Sequence, residues 1–182
     1  MAELPFPALT DGLVVLRRWR PADVVAQLKA FRDPVFGQFS DWAPETVTEA
    51  HARMIEQEEG RVRGELIDFA LVEVKEPAVL LGGVSLNDVD RAQGRASIGY
   101  WLTPGARGRG VMTHAVRLLA WWALDDLQLA RLELTCGPDN VASQGVAERC
   151  GFSCEGLLRS HLPFKGGRRD TAVFSLLPGE LR

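Results

Sequence analysis

Cysteine, histidine and tyrosine are scarce in this 182-residue chain, which has three, three and one of them. An odd number of cysteines (Cys136, Cys150 and Cys154) does not make a disulfide framework. The spacing of Cys150 and Cys154 is not that of a zinc knuckle, and His51, His114 and His161 are widely scattered, so no metal site is expected. Cys136 and Cys150 fall in apolar stretches and read as small buried thiols. Long hydrophobic runs are also missing: the longest, 118–124, is far short of the about 20 residues a bilayer span takes. The start, MAELPFPALTDG, carries Glu3 and no basic stretch before an apolar one, unlike a signal peptide. A cytoplasmic protein without a membrane partner is expected. Basic charge is not in excess either. The 21 Lys and Arg against 24 Asp and Glu give −3, which disfavours a nucleic-acid partner. With no repeat, low-complexity tract or Gly/Ser linker, one domain over 1–182 is expected.

What is present is ordinary globular patterning, with 46% hydrophobic and 25% charged residues, which excludes a disordered chain. Alternating or continuous apolar runs predict seven strands, over 13–17, 67–74, 79–86, 96–102, 131–135, 152–162 and 168–176. Helical spacing predicts four helices, over 21–31, 48–63, 111–124 and from 139 or 140 to 150. In the third, Val111, Ala115, Leu118, Leu119 and Trp122 recur on one face. Residues 34–46 read as irregular and aromatic, with Phe36, Phe39 and Trp42. The mixed order predicts an α/β fold with a central, mostly antiparallel sheet flanked by helices.

The most informative stretch joins the strand Ile98-Gly-Tyr-Trp-Leu102 to a turn, Arg107-Gly-Arg-Gly110, and then to the best helix. The first amides of a helix lack internal partners and sit at the positive end of its dipole. Gly108 and Gly110 let an anion approach, and Arg107 and Arg109 add charge, so a phosphate or pyrophosphate fits. An ordinary strand-to-helix turn with solvated arginines explains the same residues. The turn lacks the Gly-Lys-Ser/Thr ending of a Walker loop and the third glycine of a Rossmann fingerprint.

Four segments in order resemble the GNAT N-acetyltransferase superfamily, nearest its RimJ/RimL-like branch. They are the turn Arg107-x-x-Gly110, the strand Ile98–Leu102, the run Asn140-Val-Ala-Ser143 with Val146–Phe152, and Arg169-Asp170 to Leu176; Gly82-Gly83 and Leu86-Asn87 are similar to another family strand. The resemblance covers nearly the whole chain. It implies a sheet of about seven strands splayed in a V and flanked by about four helices. It implies acetyl-CoA as co-substrate, with the pantetheine arm between Tyr100, Trp101, Leu102 and Asn140. The pyrophosphate then belongs on Arg107, Gly108, Arg109, Gly110, Val111, Met112 and Thr113. The amide of Leu102 is implied to polarise the thioester carbonyl, and Ser143 to protonate the leaving thiolate. A helix-surface hydroxyl bonded locally is the plain alternative for Ser143. Tyr100 lies on a different element from the tyrosine acid of many members.

The base is left open among Glu73, Asp88 and His161. Phe36, Phe39, Trp42 and Asn87 are assigned to the acceptor side, the aromatics there rather than on the CoA side; coverage of the sheet as core explains the aromatics equally well. The implied reaction is direct acetyl transfer to a primary amine, a protein N-terminal α-amine or a small-molecule amine. Alternatives are a non-catalytic acyl-CoA sensor and a longer donor such as succinyl-CoA. A homodimer is implied by the branch alone.

Overall fold

Apolar residues at every second position pair into one sheet. The computed structural model describes residues 3–41 and 44–182; Trp42 therefore lies outside the described residues. The strands are β1 (Leu9–Thr10), β2 (Val14–Arg17), β3 (Ile67–Glu73), β4 (Leu80–Asp90), β5 (Arg95–Leu102), β6 (Arg131–Cys136), β7 (Ser153–Phe164) and β8 (Gly167–Leu176). They run in the order β1-β2-β3-β4-β5-β6-β8-β7. All neighbours are antiparallel except β5 and β6. The helices are α1 (Val24–Phe31), α2 (Pro34–Phe39), α3 (Val47–Arg63), α4 (Val111–Trp121) and α5 (Val141–Cys150).

The seven expected strands and four expected helices are present. Two short elements are additional. β1 has two residues and pairs with β2. α2 occupies part of the stretch read as irregular, starting at Pro34 behind an extended Asp33. Proline is favoured in a first turn because its missing N–H has no helical partner there. The α4 helix is also shorter than expected, giving way to a π-helical turn over Trp122–Asp126.

One sheet face carries the main core. Phe69, Leu71, Val84, Leu86, Ile98 and Leu134 meet Val111, Ala115, Val116 and Leu119 of α4. On the other side α1 and α3 form a small cluster of their own, Val24, Leu28 and Ala50 with Met54. α3 is fixed at its start by a reciprocal cap, in which Thr46 accepts from the Glu49 amide while the Glu49 carboxylate accepts from the Thr46 amide.

The decisive feature is where β5 leaves β6. Their parallel pairing ends at Ile98 and Leu134. Residues 99–102 of β5 stay paired with β4 through Ser85, Val84, Gly83 and Gly82, but on the other side no strand follows them. The sheet opens there as a V.

Candidate active site

The free edge of β5 offers backbone groups in a fixed order. The Thr103 amide donates to the Leu81 carbonyl at 2.8 Å, toward β4. Because backbone groups alternate in direction along an antiparallel pair, Trp101 also faces β4, while the amides of Tyr100 and Leu102 face the gap. The Leu102 carbonyl lies 3.5 Å from an Arg107 guanidinium nitrogen, as that direction requires. Of the three residues expected to flank the arm, Tyr100 and Leu102 present hydrogen-bonding edges. Trp101 does not, because its amide and carbonyl are committed to β4.

Beyond β5 a short 3-10 turn, Pro104–Ala106, leads to Arg107 and to the start of α4. Gly108 and Gly110 have φ of 72° and 78°, and Gly110 caps α4. A Cβ at either would meet no atom within 4 Å, so the glycines are required by their left-handed backbone and not by crowding within the protein. The two turn arginines are not free in solvent. Arg107 pairs with Asp33, the residue capping α2, at 2.6 Å, and Arg109 pairs with Glu73 at the end of β3.

A cavity of about 620 Å3 lies along this edge. Tyr100, Trp101 and Leu102 line it from β5; Arg107, Gly108, Gly110, Met112 and Thr113 from the turn and α4; Asn140 and Ser143 from α5. Phe36 and Phe39 of α2 close the same cavity, sharing it with the turn rather than standing apart from it. Arg109 and Val111 are not in its wall; Val111 is buried in the core.

Asn140 caps α5, its Oδ1 accepting from the Ser143 amide at 3.1 Å. That cap fixes the first turn of α5 and directs the Ser143 hydroxyl to Tyr100, whose Oη is 2.7 Å from Ser143 Oγ and 3.2 Å from the Ser143 carbonyl. Burial pushes the Tyr100 phenol above its ordinary range, against the pull of its bond to Ser143. Burial also raises the nearby Cys136 thiol. The Tyr100–Ser143 contact joins elements 43 residues apart and has no sequence signature.

Asn87 is not brought to this cavity. It is absent from the cavity wall and lies further back along β4, on the face that carries Ser85 and Trp101, its Nδ2 donating to Ser85 Oγ at 2.9 Å. Of the three candidate bases, Glu73 is tied to Arg109, Asp88 is an exposed residue at φ 51° that accepts from Ser97, and His161 is exposed on the outer strand β7. The structure gathers none of them at the V.

The profile of the acetyltransferase (GNAT) domain family matches residues 14–153. Among known proteins, the uncharacterized N-acetyltransferase p20 of Bacillus licheniformis is 32% identical over 160 residues, 87% of this chain and 88% of that protein. The ribosomal-protein-serine acetyltransferase of Escherichia coli is 35% identical over 80 residues, 44% of this chain and 45% of that protein. The structure of Mycobacterium smegmatis RimJ in complex with CoA-disulfide superposes with a TM-score of 0.84 at 24% identity, covering 98% of this chain and 88% of that one. That of the microcin C7 self-immunity acetyltransferase MccE with acetyl-CoA and AMP gives 0.82 at 23%, covering 93% and 98%. At those identities the two structures speak for the fold.

Proposed function

The chain belongs to the GNAT acetyltransferase family, and from that premise we propose that it transfers the acetyl group of acetyl-CoA to the α-amine of a protein N-terminus. Membership makes it an N-acetyltransferase of the RimJ/RimL-like kind. The acceptor is supported by the similarity to an enzyme that acts on a ribosomal-protein serine. The observation that carries the reading is the single cavity joining the open edge of β5, the glycine turn and the Asn140–Ser143 cap. Its volume lies within the usual range for small-ligand sites.

In this reading the co-substrate supplies an activated acetyl thioester. The amides at the start of α4 and the left-handed turn at Gly108 and Gly110 bind its pyrophosphate. Arg107 and Arg109 join them on leaving Asp33 and Glu73. The outward amides of Tyr100 and Leu102 align the pantetheine arm, and that of Leu102 polarises the carbonyl. Asn140 spends only Oδ1 on the cap, which leaves its amide nitrogen for the arm. Ser143 donates its proton to the departing sulfur. A peptide α-amine, with a reference pKa of about 7.7–8.0, is partly neutral at pH 7, whereas a lysine near 10.4 is almost wholly charged, so the α-amine is the easier nucleophile.

The test is a panel of peptides with different first residues, small amines and lysine side chains, assayed for thiol release with acetyl-CoA and succinyl-CoA in parallel. Acetylation of α-amines alone is the expected result. Transfer only to small amines, or no turnover despite tight CoA binding, would reject the protein N-terminus as acceptor.

A further inference from the structure

A second cavity of about 310 Å3 lies between the sheet and α3, and Asp68 of β3 forms part of its wall. The residue keeps some exposed surface, but the groups that hold its carboxylate are neutral donors. Gln57 Nε2 donates to Oδ2 at 2.6 Å, and the Phe69 amide helps to hold it. The buried indole N–H of Trp19 is directed at it without full hydrogen-bond geometry. The charged neighbours are engaged elsewhere: Arg18 with Glu58, and Arg61 with Glu58 and Glu3. The charge of Arg53 on α3 draws the Asp68 carboxyl down. Desolvation outweighs these attractions and pushes the Asp68 carboxyl up to about 7.

The register ties this carboxylate to the V. Asp68 stands opposite Ser85, and Ser85 opposite Gly99, the first β5 residue beyond the pairing with β6. All three lie on one face, with the Asp68 and Gly99 backbones about 10 Å apart from two strand spacings. Between them, Ser85 Oγ donates to the Gly99 carbonyl at 3.3 Å and accepts from Asn87. The next row is closed. A Cβ on Gly83 would meet Trp101 Nε1 at 2.7 Å and Trp19 Cζ2 at 2.9 Å, so two stacked indoles lie flat on that glycine and wall the polar row. A carboxylate buried at a cost, open to a cavity roomy enough for several waters and joined by a polar row to Gly99, where the V begins, has the placement of a proton acceptor.

We propose that Asp68 is the terminal proton acceptor for the attacking amine, reached from Gly99 past Ser85 through a short water bridge. This rests on the direct-attack reading above. The amine N–H bond breaks and its electron pair stays on nitrogen, which bonds to the acetyl carbon. The proton passes to water at Ser85 Oγ, and that water gives a proton to an Asp68 oxygen. The C–S bond breaks, the thiolate takes a proton from Ser143 as Ser143 takes one from water in the V, and Asp68 returns its own to solvent through the second cavity, so that the net transfer is one proton from nitrogen to sulfur.

The experiment compares wild type, Asp68→Asn and Asp68→Glu in the full chain with acetyl-CoA and three probes: a serine-starting peptide, glycinamide, and hydroxylamine, a much weaker base that is mostly neutral where the other two are still charged. In the wild type, kcat/KM for the two basic amines should rise with pH through about 7. Asp68→Asn should lose about 10²-fold on them and keep only the later rise from the amine's own titration at about 7.7–8.0, with Asp68→Glu recovering part. Hydroxylamine turnover and the acetyl-CoA KM should stay within about threefold, well inside the loss expected for a missing base. Folding raises this pKa, so the folded state holds a proton that the unfolded state releases between about 4 and 7. Stability attributable to Asp68 therefore falls as pH rises through that window, and Asp68→Asn should melt above the wild type in mildly alkaline buffer. Equal losses on glycinamide and hydroxylamine, no loss at all, or a limb at about 7 that persists in Asp68→Asn ahead of the amine's own titration overturns the proposal. A peptide that the wild type ignores overturns the N-terminal reading alone, and Asp68 is then decided on glycinamide.

Discussion

Ser143 and Tyr100 share one short hydrogen bond, and its direction decides what each can do. Tyr100 has a single proton and two acceptors, Ser143 Oγ and the Ser143 carbonyl. Given to Oγ, that proton leaves the serine hydrogen to be shared between the Cys136 sulfur and a group in the cavity. Burial keeps the phenol protonated and so keeps it a donor. Ser143→Ala should lower kcat by about 10²-fold, the lower end of general-acid contributions, because water replaces part of the role. Tyr100→Phe should lower kcat less, by about tenfold, and leave the acetyl-CoA KM nearly unchanged. Steady-state kinetics with chemistry shown to be rate-limiting checks both; an undiminished kcat in Ser143→Ala would remove the role. Ser143 was singled out through the family resemblance, by the match of Asn140-Val-Ala-Ser143, and not by any pattern of its own. Its partner was not legible, since strand periodicity sets the face of Tyr100 but not which helix crosses over it. Asn87 was placed on the acceptor side and Asp68 was passed over for a related reason: a polar residue in a strand looks alike whether it bonds its neighbour or faces a cavity.

At the scale of elements, α2 couples the glycine turn to the cavity wall. Asp33, at its start, holds Arg107, and Phe36, in its middle, stacks on Phe31 at 4.4 Å. Phe31 in turn meets Trp101 edge-on at 4.7 Å, and Trp101 stacks on Trp19. A chain of rings thus runs from one cavity to the other. Asp33→Asn removes a negative charge beside a polyanion site and releases Arg107. CoA should bind it about two- to fivefold tighter at low salt, with the gain shrinking as salt screens it. Gly110→Asp, which forces a side chain and a negative charge into a left-handed cap, should weaken binding by at least about tenfold, the outcome expected of a strained backbone at an anion site. Calorimetry on the folded variants checks both, and unchanged affinity in Gly110→Asp would move the pyrophosphate elsewhere. α2 was missed because six residues carry less than two helical turns of pattern, and its Pro34 suits a first turn and an irregular stretch alike. α4 was legible because its apolar stripe is long, although the π-helical turn that ends it has no sequence marker.

Across the whole molecule the architecture followed from patterning, because strands that bury one face must alternate and α4 must supply the cover. The splay did not, since nothing in 99–102 differs in pattern from 95–98; the gap exists because β6 pairs with β8 through Cys136 after leaving β5 at Leu134. That parting leaves two kinds of amide on one strand. Those of Trp101 and Thr103 are bonded to β4, whereas those of Tyr100 and Leu102 have no strand to receive them. Hydrogen exchange in the ligand-free protein should therefore be fast at Tyr100 and Leu102 and slow at their neighbours, and CoA should slow the first pair selectively. The first turn of α4 should gain protection with them, while β1, β2 and β7 should not change. Ligand at about a hundred times its dissociation constant contributes about 2.7 kcal/mol to the folded state. For a chain of this size that is a rise in Tm of roughly 5–10 °C. A rise in Tm accompanied by protection on β7 and β8, with Tyr100 and Leu102 still exchanging fast, would place CoA outside the V and remove the alignment assigned to β5.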